Sequence, residues 1–363
     1  MCDCLNRILL YLDACSDGLF PSDPLIPKET PYMLNKFKPT HKNIDIGCHI
    51  DVRKTPKRES NISSDSIHSY ESFDDLSDIN NTTISYYDWK FVKCLNETNQ
   101  SKIDVMKNIN SHDKCVRKIY FKMPGKKYNR FGLNEWNAVN QISHPNVINF
   151  DYFHVDDRYI AIMMPHYKRD YFSKLEQDIM SSRFNTHSAI SERISTLLII
   201  FSTVKCVHDK NIVHRDLKPE NFVMNDLDEP VLIDFGFAVA SANKHIRNDR
   251  RGTPLYVAPE VYLYDSIDGK AADIFSLGVM SWAVIFGCQP WNIERTDSFY
   301  KTFNIPINDT LNRLQILMKE MTNNAPNNRP TIDECVNRVD NINTAYLSCD
   351  DAMNEFFMSS NEY

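Results

Sequence analysis

The chain has 363 residues, 42% of them hydrophobic, and 41 Lys and Arg against 48 Asp and Glu give a formal net charge of −7. That length holds one compact domain of about 250 residues plus an extension, and the negative balance argues against broad nucleic-acid binding by phosphate neutralisation. No apolar run reaches the ~18–20 residues of a membrane span, and the ten cysteines lack the paired Cys and His spacing of a zinc site.

Residues 1–80 differ in composition from the rest. The opening M-C-D-C-L-N-R-I-L-L-Y-L lacks the basic start and cleavage pattern of a secretory signal. Reduced thiols are expected, which places the protein in the cytoplasm, the nucleus or both. Leu5, Ile8, Leu9 and Leu12 fall at helical spacing and read either as a docking helix or as an idle one. Pro21, Pro24, Pro27, Pro31 and Pro39 punctuate the next stretch, and Ser60 to Asp78 is rich in Ser, Asp and Glu. Such a composition buries too little apolar surface to offset the entropy of ordering, so disorder is expected. Within it, Arg53-Lys54-Thr55-Pro56-Lys57-Arg58 reads either as a nuclear-entry signal or as a chance basic cluster.

Further along, Lys114 to Phe121 (K-C-V-R-K-I-Y-F) alternates and is rich in strand formers, which predicts a strand. Period-two geometry puts Val116 and Lys118 on one face and Arg117 on the other. Glu135 opens E-W-N-A-V-N-Q-I-S-H-P-N-V, and Tyr159 opens Y-I-A-I-M-M-P-H-Y, which includes Met164 and Pro165. The most informative stretch runs from Val213 to Gly236: V-H-R-D-L-K-P-E-N-F-V-M-N-D-L-D-E-P-V-L-I-D-F-G. Phosphoryl transfer from ATP needs a carboxylate to orient the attacking hydroxyl, and an amide with a second carboxylate to hold magnesium. Asp216, Asn221 and Asp234 supply these groups in that order.

The combination resembles the catalytic loop and metal motif of eukaryotic protein kinases, over roughly residues 86–340. It implies an α+β, two-lobed protein kinase fold. A small β-rich N-lobe with a helix C would cover about 86–164, a larger α-helical C-lobe about 168–340, and a tail 341–363. The implied cofactors are ATP and Mg2+, with Asn221 and Asp234 on the metal and Asp216 as the catalytic carboxylate. Lys118 takes the place of the phosphate-steadying lysine and Glu135 that of its helix-C partner. Val116 and Met164 fall at the adenine pocket. Lys218 matches the lysine of serine/threonine kinases, and Thr253, ahead of Ala258-Pro259-Glu260, the substrate-docking threonine. The implied partners are protein substrates with Ser or Thr acceptors. Asp273 resembles the aspartate that braces the catalytic loop, and Arg329 the arginine that pairs with Glu260. Pro165 and the N-F after P-E are similar to kinases that activate replication origins. P-W-N-I-E-R-T-D-S-F-Y-K-T-F is similar instead to fungal nutrient- and stress-linked kinases.

The phosphate-covering loop departs from the family. Ile103 fits the residue closing G-x-G-x-x-G-x-V, and Leu95, Asn96, Glu97, Thr98, Asn99, Gln100, Ser101 and Lys102 precede it. Asn96, Thr98 and Ser101 thus stand where three glycines belong, and no glycine lies between Gly47 and Gly125. Glycines let such a loop bend tightly and bring its amides close to phosphates. A hairpin with a looser grip is expected, and it leaves two readings: an active kinase, or a pseudokinase that binds or scaffolds.

Between Phe237 and Arg251 the only hydroxyl is Ser241, and Asp249 is the sole carboxylate among Lys244, His245, Arg247, Arg250 and Arg251. Activity is therefore expected without activation-segment phosphorylation, with a regulatory partner or the N-terminal extension setting the position of Glu135. The acidic tail after residue 340 reads as packed on the larger lobe or as loose.

Overall fold

The computed structural model describes residues 88–122, 129–155, 157–287 and 309–359. The extension with its leucine stripe and basic cluster, and the segment from Pro290 to Phe303, lie outside them.

The smaller lobe is one antiparallel sheet built from β1 (Trp89–Glu97), β2 (Ser101–Asn108), β3 (Lys114–Phe121), β4 (Tyr152–Val155) and β5 (Tyr159–Pro165), in the order β1-β2-β3-β5-β4. β3 has the bounds its alternation predicts. Ile103 pairs with Lys118, and Val116 sits between Val105 and Met164. On the other face of β3, Cys115 joins a small cluster with Met106, Tyr152 and Met163, while Ile119 packs with Tyr159 and Ala161. Arg117 pairs with the buried Asp104 at 2.7 Å. The two faces of one strand therefore divide a structural ion pair from the residues that face the site.

Helix α1 (Arg130–Asn140) starts at Asn129, whose side chain accepts from the Phe131 amide, which satisfies one of the free amides at a helix start. It packs closely on the sheet because Gly132 has no side chain: a Cβ there would meet the Tyr120 ring at 2.9 Å and Ile160 at 3.1 Å. One turn on, Trp136 stacks on Phe153 with centroids 4.3 Å apart.

The larger lobe follows with α2 (Tyr171–Met180), α3 (His187–Asp209), β6 (Ile212–Val213), β7 (Phe222–Met224), β8 (Pro230–Leu232), β9 (Val239–Ala240), β10 (His245–Arg247), α4 (Glu260–Leu263), β11 (Ser266–Asp268), α5 (Gly269–Phe286), α6 (Asp309–Met321) and α7 (Ile332–Ser359). Its core is formed by Leu197 and Phe201 of α3, Leu277 and Trp282 of α5, and Leu314 and Leu317 of α6, all fully buried. Helix α5 is long and apolar enough to cross a bilayer by length and composition alone, which corrects the expectation that no run of that length is present. Most of it is buried inside the protein, the position of a core helix. Glu260 and Arg329 form a buried two-pronged pair at 2.6 and 2.8 Å. Removing one partner of such a pair costs about 3–5 kcal/mol, because the other charge is left buried alone.

The tail boundary placed at residue 340 falls inside α7, which runs on without a break. Cys335, Val339, Ile342 and Tyr346 are all buried, and their spacing of four, three and four residues makes one helical stripe. Tyr346 stacks on His187 of α3 at 4.1 Å.

Candidate active site

Two groups of side chains meet where the lobes join. In the first, Lys118 on β3 reaches Glu135 of α1 at 3.1 Å and Asp234 at 2.7 Å. Lys118 and Glu135 are buried, while the Asp234 side chain is 41% exposed. Tyr120, two residues along the same strand face, donates its hydroxyl to Glu135. Burial disfavours the Lys118 ammonium, but Asp234 and Glu135 outweigh it and raise its pKa. Burial raises that of Glu135 against the pull of Lys118. For Asp234 burial would act the same way, yet the ammonium prevails and holds it below the usual carboxylate range. The lysine is charged, with one carboxylate locked behind it and another on the open side.

The second group surrounds Asp216. Asn221, in a short 3-10 turn (Pro219–Asn221), donates to the Asp216 carbonyl at 2.7 Å and to its carboxylate at 3.0 Å. Lys218 reaches the Asp216 carboxylate at 2.8 Å and the Thr253 hydroxyl at 2.7 Å, and Thr253 donates to the other Asp216 oxygen at 2.7 Å. Asp216, Lys218 and Thr253 close a triangle, so the carboxylate is held from two sides. The loop is set by Asp273 of α5, which accepts from the His214 and Arg215 amides at 2.7 and 2.8 Å and from His208 at 3.0 Å. Arg215 and Asp234 adopt positive φ values of 68° and 60°. Backbone in that region is strained for side-chain-bearing residues and persists only where neighbours hold it. Phe235 is fully buried against His214, with ring centroids at 4.8 Å.

The phosphate-covering hairpin is present, and its tip closes without glycine. Glu97 pairs with Lys102 across the strands. Between them the Thr98 hydroxyl accepts from the Gln100 and Ser101 amides at 3.2 and 3.0 Å, and the Thr98 amide donates to the Ser101 carbonyl at 2.8 Å. Asn96 and Asn99 do not have positive φ. A turn closed by a side chain takes the place of left-handed backbone, and the Thr98 hydroxyl occupies the Gln100 and Ser101 amides. Leu95 at the rim is exposed.

The site suits a nucleotide with a hard divalent cation. Asn221 commits its amide nitrogen to Asp216, leaving its oxygen as a ligand, and Asp234 offers the carboxylate oxygen that Lys118 does not hold. Such a cation binds through one or two side chains and completes its shell with substrate phosphates. Among the described residues no cluster of three or more His, Cys, Asp or Glu forms a separate metal cage.

The structure brings together Lys118, Glu135 and Asp234, and separately Asp216, Lys218, Asn221 and Thr253. Val116 and Met164 lie side by side across β3 and β5. Sequence reasoning missed Tyr120, although period two already placed it on the Lys118 face. It noted Asp249 as the lone carboxylate of a basic segment without giving it a partner.

Comparison with known proteins agrees with this architecture. The model of the protein kinase domain family matches residues 90–339, and the chain belongs to that family. It is 32% identical over 167 residues to the probable serine/threonine-protein kinase samkB of Dictyostelium discoideum, covering 45% of this chain and 28% of that protein. It is 31% identical over 189 residues to the calcium/calmodulin-dependent protein kinase cmkA of Emericella nidulans, covering 51% of this chain and 44% of the other. With serine/threonine-protein kinase ULK3 of Xenopus laevis the identity is 28% over 208 residues, covering 54% and 42%. The chain thus spans less than half the length of these relatives.

Proposed function

We propose that the chain is an active ATP-dependent serine/threonine protein kinase, with Mg2+ as its metal. The observation that carries this reading is the joint assembly of Lys118 against Glu135 and Asp234 with Asp216 against Asn221. A protein that only scaffolds has no need of both. Asp216 orients the acceptor hydroxyl and takes its proton, and Lys218 steadies that carboxylate. Lys118 holds the nucleotide phosphates, with Glu135 fixing its direction. Asn221 and Asp234 would hold Mg2+, which would supply positive charge beside the nucleotide phosphates. Lys218 beside Thr253, and the likeness to two proteins named as serine/threonine-protein kinases, support Ser and Thr as acceptors.

Phosphate transfer from ATP to a generic Ser/Thr-containing basic protein tests this. The parent should transfer phosphate, and Asp216→Asn should abolish turnover while binding ATP almost as well, because the lost group acts on the acceptor. Equal rates in the two proteins would remove Asp216 from its role, and an inactive parent that still binds ATP would favour a binding protein.

A further inference from the structure

Asp249 has contacts that catalysis as described does not use. One of its oxygens accepts from Arg215, the residue before the catalytic aspartate, and the other from Arg130, the first residue of α1. Arg251 approaches the second oxygen at 3.4 Å. The Arg215 side chain is nearly buried and also donates to the Phe237 carbonyl at 2.6 Å. The Arg251 guanidinium lies 5.2 Å from the Phe131 ring of α1 and 5.6 Å from Phe237, and those rings meet edge to face at 5.7 Å. One carboxylate therefore joins three parts of the chain: the activation segment, the catalytic loop and the start of the helix that carries Glu135.

Other groups of the segment are engaged elsewhere. Arg250 pairs with Asp265 at 3.5 Å and Lys244 with Asp268 at 3.4 Å. Ser241 keeps to Asn211 and Asn243, and the Thr253 hydroxyl is held by Asp216 and Lys218. An anion between these arginines is what an added phosphate would otherwise have to provide.

We propose that Asp249 is a positioning residue, an encoded anion that ties α1 to the catalytic loop and so holds Glu135 against Lys118 with no phosphate added to the activation segment. The inference rests on the kinase reading for its effect on rate, but the tether itself can be read without turnover. It gives to the segment a task that the sequence alone left to a partner or to the extension.

The test uses the full chain as Asp249→Asn, Asp249→Glu and Arg130→Gln, with amide hydrogen exchange over Arg130–Asn140 beside steady-state kinetics. Arg130 is largely exposed, so its variant keeps the arm open if a change at Asp249 impairs folding. Asp249→Asn and Arg130→Gln should each speed exchange in α1 and lower kcat by about tenfold. The change in unfolding midpoint should be small, and Asp249→Glu should restore both readouts. Combining the two losses should be no worse than either alone, and phosphatase treatment of the parent should leave its rate unchanged. Unaltered α1 exchange in both loss variants would overturn the tether, as would full activity in Asp249→Asn or a phosphatase-sensitive parent. An inactive parent whose α1 exchange still responds would sink the kinase reading and leave the tether standing.

Discussion

The Tyr120 hydroxyl is hydrogen-bonded to the same buried carboxylate, Glu135, that holds Lys118. Burial raises the Tyr120 pKa well above its ordinary value, so the phenol stays protonated and donates. Glu135 is thus fixed by a neutral donor from β3 as well as by the ammonium, in a place where an unpaired polar group is costly.

Replacing Tyr120 by Phe keeps the ring that packs on Gly132 and removes only the hydroxyl. Stability should fall by about 1–3 kcal/mol, the cost of leaving a buried acceptor one donor short. ATP-dependent turnover should fall with it, because Glu135 is then free to turn from Lys118. Urea unfolding and initial rates check this, and a variant equal to the parent in both would show that Lys118 alone fixes Glu135.

The hairpin tip gives a second expectation. If Thr98 holds the Gln100 and Ser101 amides away from the nucleotide, glycine at Asn96, Thr98 and Ser101 together should strengthen ATP binding by about 1–2 kcal/mol. That corresponds to a roughly 5- to 30-fold lower KM for ATP. A KM equal to the parent's would show that the tip already closes on phosphates as it stands.

His214 sets a pH limit. Its Nδ1 accepts from the Asp216 amide at 3.3 Å, and its Nε2 lies 3.2 Å from the Ile233 carbonyl, contacts that suit the neutral ring with the proton on Nε2. Burial holds its pKa below the ordinary 6.5, against the opposing pull of Asp273. Above that value both folded and unfolded chains carry a neutral ring. As pH falls below 6.5 the unfolded chain takes up the proton first, so stability is lost until the folded pKa is passed. Unfolding midpoints measured from pH 7 to pH 5 should drop more steeply for the parent than for His214→Gln, whose side chain does not titrate. Parallel slopes would exclude His214 as the cause.

Much of this was legible because the groups are close in sequence or share a simple period. Asp216 and Asn221 sit in one loop, and alternation alone separated Lys118 from Arg117. The pairing of Lys118 with Glu135 needed the family resemblance, since neither residue by itself differs from a surface charge. The Asp249 tether joins residues 34 and 119 positions apart, and no local pattern encodes such a meeting. The hairpin tip failed differently. A glycine pattern speaks only to tight backbone bending, and the chain instead closes the turn with the Thr98 hydroxyl, a solution that depends on one side chain's rotamer rather than on a glycine count.

The buried stripe of α7 sets where the folding unit can stop. The family match ends at residue 339, yet Ile342 and Tyr346 remain inside the core beyond it. A chain ended at the family boundary would strip the cover from α3 and leave His187 without its stacked ring. Deleting a buried side chain of that size typically costs about 2–5 kcal/mol, and two such losses approach the whole stability of an ordinary domain. A piece expected to fold therefore reaches at least to Tyr346, past the residue where the family match ends.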